Sequence, residues 1–240
     1  MKGFIVMDNF THISLDDEGF FAHRQDEFGN DQRIAISEIR GAVAPPTTTE
    51  PGYYLVLGQG VHNNQNGKKP LFFLAEGEAA LQEELCTKLS ANIERFCCQG
   101  LYIDKKYEGF FYFLHRKLKR IETLRLIPAD FTNDLEHGIS FIKQWLFDKA
   151  LLIPRSNDII LRRELEKMTG DATSHVLCPL INLIVGFDLQ KKIFPPEEFI
   201  KQHKLKQGRA LTGVSRAAWE ELQMLRERLE QEDEYWNNVL

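Results

Sequence analysis

The stretch GLYID, from Gly100 to Asp104, is a short apolar run that ends on a carboxylate. Short apolar runs bounded by turn or helix signals are typical of buried strands. A carboxylate at the end of such a strand either caps the turn into the next helix or faces a ligand, because α/β proteins collect ligands at the carboxyl ends of their strands. Both interpretations of Asp104 stay open, and the neighbouring elements decide the fold.

On the C-terminal side of GLYID, predicted strands and helices alternate. The strands are LRLIPA and LLIPR, and the helices are EGFFYFLHRKLKRIE, DLEHGISFIKQWLFDKA, NDIILRRELEKM and DATSHVLCPLINLIVGF. Asn133 with Asp134, and Asn157 with Asp158, precede two of the helices and are typical N-cap residues. Strands separated by helices pair in parallel through crossover connections, so this region predicts an α/β fold.

On the N-terminal side, the sequence predicts antiparallel strands. Turn signals in DDEG and FGND divide the start of the chain into two or three strands. YYLVLGQGV and PLFFLAEGEA, joined through Asn66 and Gly67, predict a hairpin, and ALQEELCTKLSANIERFCCQ predicts an amphipathic helix. The Pro- and Thr-rich loop at 45–52 is the best candidate for a domain boundary.

We therefore expect three regions: a β-rich segment at 1–50, an α/β domain at 51–190, and a linker with a helical tail at 191–240. In the tail, apolar residues near helical spacing follow Ser215, which is a plausible cap. This helix is expected to pack on the body of the protein or on a second copy, so it is a candidate homodimer contact.

The composition excludes several classes of protein. A chain of 240 residues with a formal charge of -5 does not coat nucleic acid through bulk charge. The four cysteines form no CxxC pair, so we expect free thiols. The sequence has no apolar run long enough for a membrane span and no secretory signal, so we expect a cytoplasmic protein. Glycine-rich nucleotide loops and serine hydrolase elbows are also missing from the sequence.

A hairpin, an amphipathic helix, a strand that ends in Asp and then α/β alternation is the element order of the ribonuclease H fold, a mixed sheet flanked by helices. More narrowly, residues 53–187 resemble the nuclease domain of the large terminase subunits of tailed bacteriophages. The resemblance is carried by GLYID, by DLEHGISFIKQWLFDKALLIPRSNDIILRRELEKM and by DATSHVLCPLINLIVG. It implies a phage- or prophage-derived protein, with DNA and phage packaging proteins as partners.

The resemblance also implies a catalytic site. Phosphodiester hydrolysis by two divalent ions needs several carboxylates, and oxygen ligands suit Mg²⁺ or Mn²⁺. Asp104 matches the acid of the fourth strand, and Asp171 matches the acid that heads the closing helix. If YYLVLGQGV is the first strand, Gln59 and its flanking glycines stand where the family has an aspartate, and this departure weighs against activity.

Glu76, Glu78 or Asp8 are candidates to supply the missing charge, and we take Glu76 as the third catalytic and metal ligand. Each acid has a structural alternative: Glu76 and Glu78 precede a helix whose dipole favours them, and Asp8 precedes a turn. Asp171 also has the position of a helix N-cap. His175 is expected one turn after Asp171 on the same helix.

Two further functions remain open. The chain is alternatively a catalytically inactive binding or assembly module of the same fold. The N-terminal strands and the first helix are also compatible with a pleckstrin-homology-like binding module. The basic runs HRKLKR and KQHKLKQGR are either contacts to a nucleic-acid backbone or solvated faces.

Overall fold

The computed structural model describes residues 10–16, 19–25, 29–64, 66–129, 135–154, 156, 158–167 and 174–189. The chain divides into two compact units, Met1–Pro196 and Glu197–Leu240, and all described residues belong to the first. The predicted C-terminal helix and the basic run KQHKLKQGR therefore lie outside the described residues. None of the described helices is long and apolar enough to cross a membrane.

Eight strands form one mixed sheet in the described residues. They are β1 Phe10–Asp16, β2 Gly19–Gln25, β3 Asp31–Ala44, β4 Gly52–Gly60, β5 Leu71–Ala79, β6 Gly100–Asp104, β7 Arg125–Ala129 and β8 Leu151–Leu152. The helices are α1 Gln82–Phe96, α2 Glu108–Leu118, α3 Leu135–Phe147, α4 Ile160–Lys167 and α5 Leu177–Leu189, and the turn Lys105–Tyr107 leads from β6 into α2.

The strand order β7-β6-β3-β4-β5-β8 runs across the body of the sheet. Strands β3, β4 and β5 pair in antiparallel fashion, whereas β6 is parallel to β3 and to β7, and β8 is parallel to β5. The predicted hairpin is β4–β5, and the predicted parallel crossovers are present. Strands β1 and β2 extend the antiparallel part from the first half of β3.

The central strand is β3, which is hydrogen-bonded to β4 on one side and to β6 on the other. The assignment of YYLVLGQGV as the first strand is therefore wrong, because that segment is β4 and lies antiparallel between β3 and β5. The sheet also crosses the boundary predicted at residue 50. Strand β3 was hard to recognise because its sequence, DQRIAISEIRGAVA, mixes charged and small residues in place of a continuous apolar run.

Helices cover both faces of the sheet, as the fold class predicts. One face, which includes Val43 and Leu101, packs against the apolar residues of α1 and α2. The opposite face, which includes Ala42 and Tyr102, packs against α3, α4 and α5. Side chains alternate between the two faces along each strand, so Tyr102 and Asp104 of β6 share the α5 face.

Candidate functional site

Asp104 is the last residue of β6 and is buried, with a side chain that is only 4% exposed. Its Oδ1 accepts a 3.0 Å hydrogen bond from the backbone N–H of Lys106, which starts the turn into α2. The ammonium group of Lys106 lies 3.2 Å from Oδ2. The capping interpretation of Asp104 is thus realised, and the same carboxylate also holds a lysine.

The neighbour of Asp104 on the central strand is an alanine. Val43 of β3 pairs with Ile103 of β6, so the next residue, Ala44, lies beside Asp104. Ala42 lies on the same face of β3, opposite Tyr102. On this face of β3, the residues nearest to the end of β6 are therefore the alanines Ala42 and Ala44, whereas Gln59 lies on β4.

Helix α5 approaches this edge of the sheet through residues one turn apart, Cys178, Asn182 and Gly186. A Cβ atom on Gly186 would lie 2.4 Å from Cζ of Tyr102, so the helix and β6 are in close contact. The thiol of Cys178 has a raised pKa because it is buried; Lys106 lowers this pKa and Asp104 raises it. Cys178 therefore lies within electrostatic range of Lys106, Asp104 and Glu50.

Asn182 is a polar residue that sequence analysis missed. It is 1% exposed, and its Oδ1 has no hydrogen-bond partner among the described residues. Because Asn182 lies between Cys178 and Gly186 on the helix, its amide faces the same strands. The signal in the sequence was a row of small or polar residues at helical spacing in an otherwise apolar helix.

Arg40 of β3 fixes α5 against the sheet. It is 2% exposed and donates from Nη1 to the hydroxyl of Tyr102 at 2.6 Å and to the carbonyl of Gly186 at 3.0 Å. Its guanidinium also pairs with the carboxylate of Glu38 and lies 4.8 Å from the ring centre of Phe187. A buried arginine with these partners links β3, β6 and α5 in one network.

Asp171, the second predicted acid, lies outside the described residues. His175 does not lie on the closing helix as expected, because α5 begins at Leu177 and His175 lies in the preceding turn. Its Nδ1 lies 3.7 Å from Oε1 of Glu50, and its ring packs edge-on at 6.3 Å from the ring of Tyr53. Within the described part of the chain, its Nε2 has no hydrogen-bond partner.

Glu76 of β5 caps helix α4. Its Oε1 accepts from the backbone N–H of Ile160 at 2.5 Å, and its Oε2 accepts from that of Leu161 at 3.0 Å and from the hydroxyl of Tyr53 at 2.6 Å. A carboxylate that accepts the first N–H groups of a helix also interacts favourably with the helix dipole. The cap of α4, which was predicted at Asp158, is therefore supplied by Glu76 of β5. The other predicted cap residues, Asn133, Asp134 and Asn157, lie outside the described residues.

The remaining predicted acids and cations have separate positions. Glu78 is exposed on β5, and Asp8 lies outside the described residues. In the basic run HRKLKR, Lys117 pairs with Glu83 at 2.9 Å and Arg120 with Glu94 at 3.0 Å, so these cations neutralise acids of α1. This pairing favours the solvated-face interpretation of the run.

The described donors at the Asp104 edge do not by themselves fit a centre for two divalent ions. Among these residues, Asp104 has the ammonium group of Lys106 at 3.2 Å, Ala44 beside it on β3, and Cys178 and Asn182 on α5. In the ranges that the structure describes, no three His, Cys, Asp or Glu side chains are grouped so that they could hold a metal ion. Hard divalent ions require several anionic oxygens, which these residues do not provide.

Among solved structures, this chain is similar to nuclease domains, at low sequence identity. The nuclease domain of the large terminase from bacteriophage SPP1, with bound manganese, is 15% identical with a TM-score of 0.44, and the match covers 63% of this chain and 87% of that one. The human cytomegalovirus terminase nuclease domain, soaked with manganese and with an inhibitor bound, is 12% identical with a TM-score of 0.42, over 66% and 85% of the two chains.

The yeast mitochondrial Holliday junction resolvase is 10% identical with a TM-score of 0.39, over 71% of this chain and 85% of that one. No protein-family model and no curated protein sequence matches the chain. The chain has the α/β, ribonuclease H-like fold, which follows from its own strand order and strand directions.

Proposed function

We propose that this chain is a ribonuclease H-like binding or assembly module, of phage or prophage origin, in which two-metal phosphodiester cleavage has been lost. The observation that carries the proposal is the content of the sheet edge. Ala44 stands where the resemblance requires an acid on the first strand, and Lys106 neutralises the acid of the fourth strand. The proposal names DNA as ligand, together with phage packaging proteins, because the terminase resemblance implies both.

The buried position of Asp104 is compatible with this role without a metal. A buried carboxylate is costly unless it is paired and hydrogen-bonded. Asp104 has a charge partner and a backbone donor in Lys106. The group therefore stabilises the turn between β6 and α2 at the edge where related folds perform chemistry, and the edge is kept in shape for binding.

A second function, metal-dependent cleavage, has one observation in its favour. Asp104 is a carboxylate at the carboxyl end of a parallel strand, where α/β proteins collect their ligands. In this alternative Asp104, Asp171 and Glu76 bind Mg²⁺ or Mn²⁺. Glu76 would then have to release two helix N–H groups and Tyr53.

A plasmid-nicking assay together with DNA-binding anisotropy separates the two functions. Wild type and Asp104→Asn are incubated with supercoiled plasmid in Mn²⁺ and in EDTA, and with a fluorescent duplex under both conditions. The proposal expects DNA binding that does not depend on the metal, with no nicking above the EDTA control. Nicking that needs Mn²⁺ and is lost in Asp104→Asn would overturn it, as would the lack of any DNA binding.

A further inference from the structure

We infer that Lys106 is the resident cation of the Asp104 site, and that its ammonium group takes the place that a divalent ion fills in metal-dependent sites of this fold. The inference rests on the proposed function, since it explains how the carboxylate is retained without metal. It goes further by assigning a role to Lys106 and by predicting which residues exclude the ion.

The geometry of the turn Lys105–Tyr107 holds this lysine against Asp104. The backbone N–H of Lys106 binds Oδ1 at 3.0 Å, and its Nζ reaches Oδ2 at 3.2 Å, so one residue contacts both carboxylate oxygens. The ammonium group also lies 4.9 Å from the ring centre of Tyr107, a contact that favours a cation. The lysine is thus directed to the carboxylate by its own backbone.

The charge state of Lys106 agrees with this role. Burial by itself lowers its pKa, but Asp104 and Tyr107 raise it, and the net pKa is above the ordinary value for lysine. The side chain of Lys106 is 49% exposed, whereas that of Asp104 is 4% exposed. The cation therefore closes the carboxylate from the solvent side and stays charged at neutral pH.

Among the described residues, those that flank Asp104 on β3 and α5 add no second carboxylate that would favour a divalent ion over the lysine. Ala44 contributes no ligand from β3, and Asn182 offers a neutral oxygen. The charge of Glu50 also acts on the Cys178 thiol, and Oε1 of Glu50 lies 3.7 Å from Nδ1 of His175. A divalent ion at Asp104 would have to displace the ammonium group of Lys106 and would then have one carboxylate as its anionic ligand. Such a site binds a hard cation weakly.

Two substitutions should therefore convert the edge into a cation site. Ala44→Asp adds a carboxylate beside Asp104, and Lys106→Met removes the ammonium group while keeping most of the side-chain volume. We expect Mn²⁺, at about 100 times its Kd, to raise the Tm of the double variant by about 5 °C. The wild-type Tm should change by less than about 1 °C under the same conditions.

The matched control is Ala44→Asn with Lys106→Met, which has the same shape but lacks the added charge, and it should show no Mn²⁺-dependent rise in Tm. A second control combines Ala44→Asp with Lys105→Met, which removes the neighbouring lysine and keeps Lys106. Mn²⁺ should not raise the Tm of this variant, because the ammonium group of Lys106 still occupies the site. If the Ala44→Asp double variant folds and its Tm does not respond to Mn²⁺, the inference is wrong.

Should that double variant not fold without metal, Lys106→Met alone is titrated with Mn²⁺ and the free ion is followed by electron paramagnetic resonance. We expect at least about threefold tighter binding than in wild type, lost again when Asp104→Asn is added. Equal binding by Lys106→Met and wild type overturns the inference and leaves the proposed function standing. Conversely, Mn²⁺-dependent nicking by wild type that survives Asp104→Asn contradicts the proposed function alone.

Discussion

The hydroxyl of Tyr53 donates a 2.6 Å hydrogen bond to Oε2 of Glu76, and both oxygens of that carboxylate accept backbone N–H groups from the first turn of α4. Tyr53 lies on β4 and Glu76 on β5, and the N–H groups that donate to Glu76 belong to a helix far along the chain. A carboxylate that was a candidate metal ligand thus joins the hairpin β4–β5 to α4. The contribution of the Tyr53–Glu76 hydrogen bond can be measured by substitution of either residue.

Tyr53 should make the protein sensitive to alkaline pH. Burial and the Glu76 carboxylate hold the pKa of Tyr53 well above its ordinary value of 10.0. The stabilisation is therefore complete below about pH 10 and is lost as pH rises from there toward the folded-state pKa. We expect the free energy of unfolding of wild type to fall more steeply above pH 10 than that of Tyr53→Phe, measured by urea unfolding. Tyr112→Phe, the same change on α2, should keep the wild-type slope.

The cap from Glu76 should be visible as a loss of stability in metal-free buffer. Glu76→Gln keeps the size of the side chain but removes the charge that the helix terminus and Tyr53 contact, and we expect a loss of about 1 to 3 kcal/mol. Hydrogen exchange should localise the weakening to α4. Glu78→Gln, an exposed change on the same strand, should stay within about 0.5 kcal/mol of wild type. Equal stability of Glu76→Gln and wild type in EDTA would contradict the capping role.

The contact between α5 and β6 should be intolerant of a single methyl group. A Cβ on Gly186 would lie 2.4 Å from Cζ and 2.5 Å from the hydroxyl oxygen of Tyr102, so the tyrosine that binds Arg40 must move. We expect Gly186→Ala to cost about 2 kcal/mol or more, in the range of overpacked cores. Gly109→Ala on α2 meets no atom within 4 Å and should be neutral or stabilising by less than about 1 kcal/mol. Equal melting temperatures of the two variants would refute this account.

The sequence predicted the fold well because its elements are strongly patterned. The hairpin β4–β5, the amphipathic α1 and the parallel strands after Gly100 follow from alternation, turn residues and helical periodicity. The central position of β3 was not predicted, since it depends on pairing with β4 on one side and with β6, which is distant in sequence, on the other. Its buried Arg40 is stabilised by Tyr102 and Gly186, and local pattern gives no sign of such tertiary partners.

The site was less predictable for a related reason. The sequence identified Asp104 as the end of a buried strand, but Lys106, which pairs with it, is one of two consecutive lysines that have no distinguishing pattern in the sequence. The role of Glu76 depends on α4, whose first turn reaches it only in the folded sheet. Asn182 was hidden in an apolar helix, and Ala44 became informative only when the register placed it beside Asp104.

Asp148 should make the protein less stable in acid. Hydrogen bonds from Gln144 and the ammonium group of Lys68, at 3.0 Å, hold the pKa of Asp148 below its ordinary value despite the opposing effect of burial. A carboxylate with a depressed pKa stabilises the fold above the unfolded-state pKa, near 4, and this contribution is lost as pH falls through the folded-state pKa.

We expect Asp148→Asn to be less stable than wild type at pH 7 by about 1 to 2 kcal/mol, because Lys68 and Gln144 lose a charged acceptor. Since protonation removes the same acceptor from wild type, the difference should shrink steadily below about pH 4. Urea unfolding from pH 7 to pH 3 measures it, with Asp158→Asn as a control that should show no such convergence. A difference that stays constant down to pH 3 would mean that the lost stability comes from side-chain packing and not from the charge of Asp148.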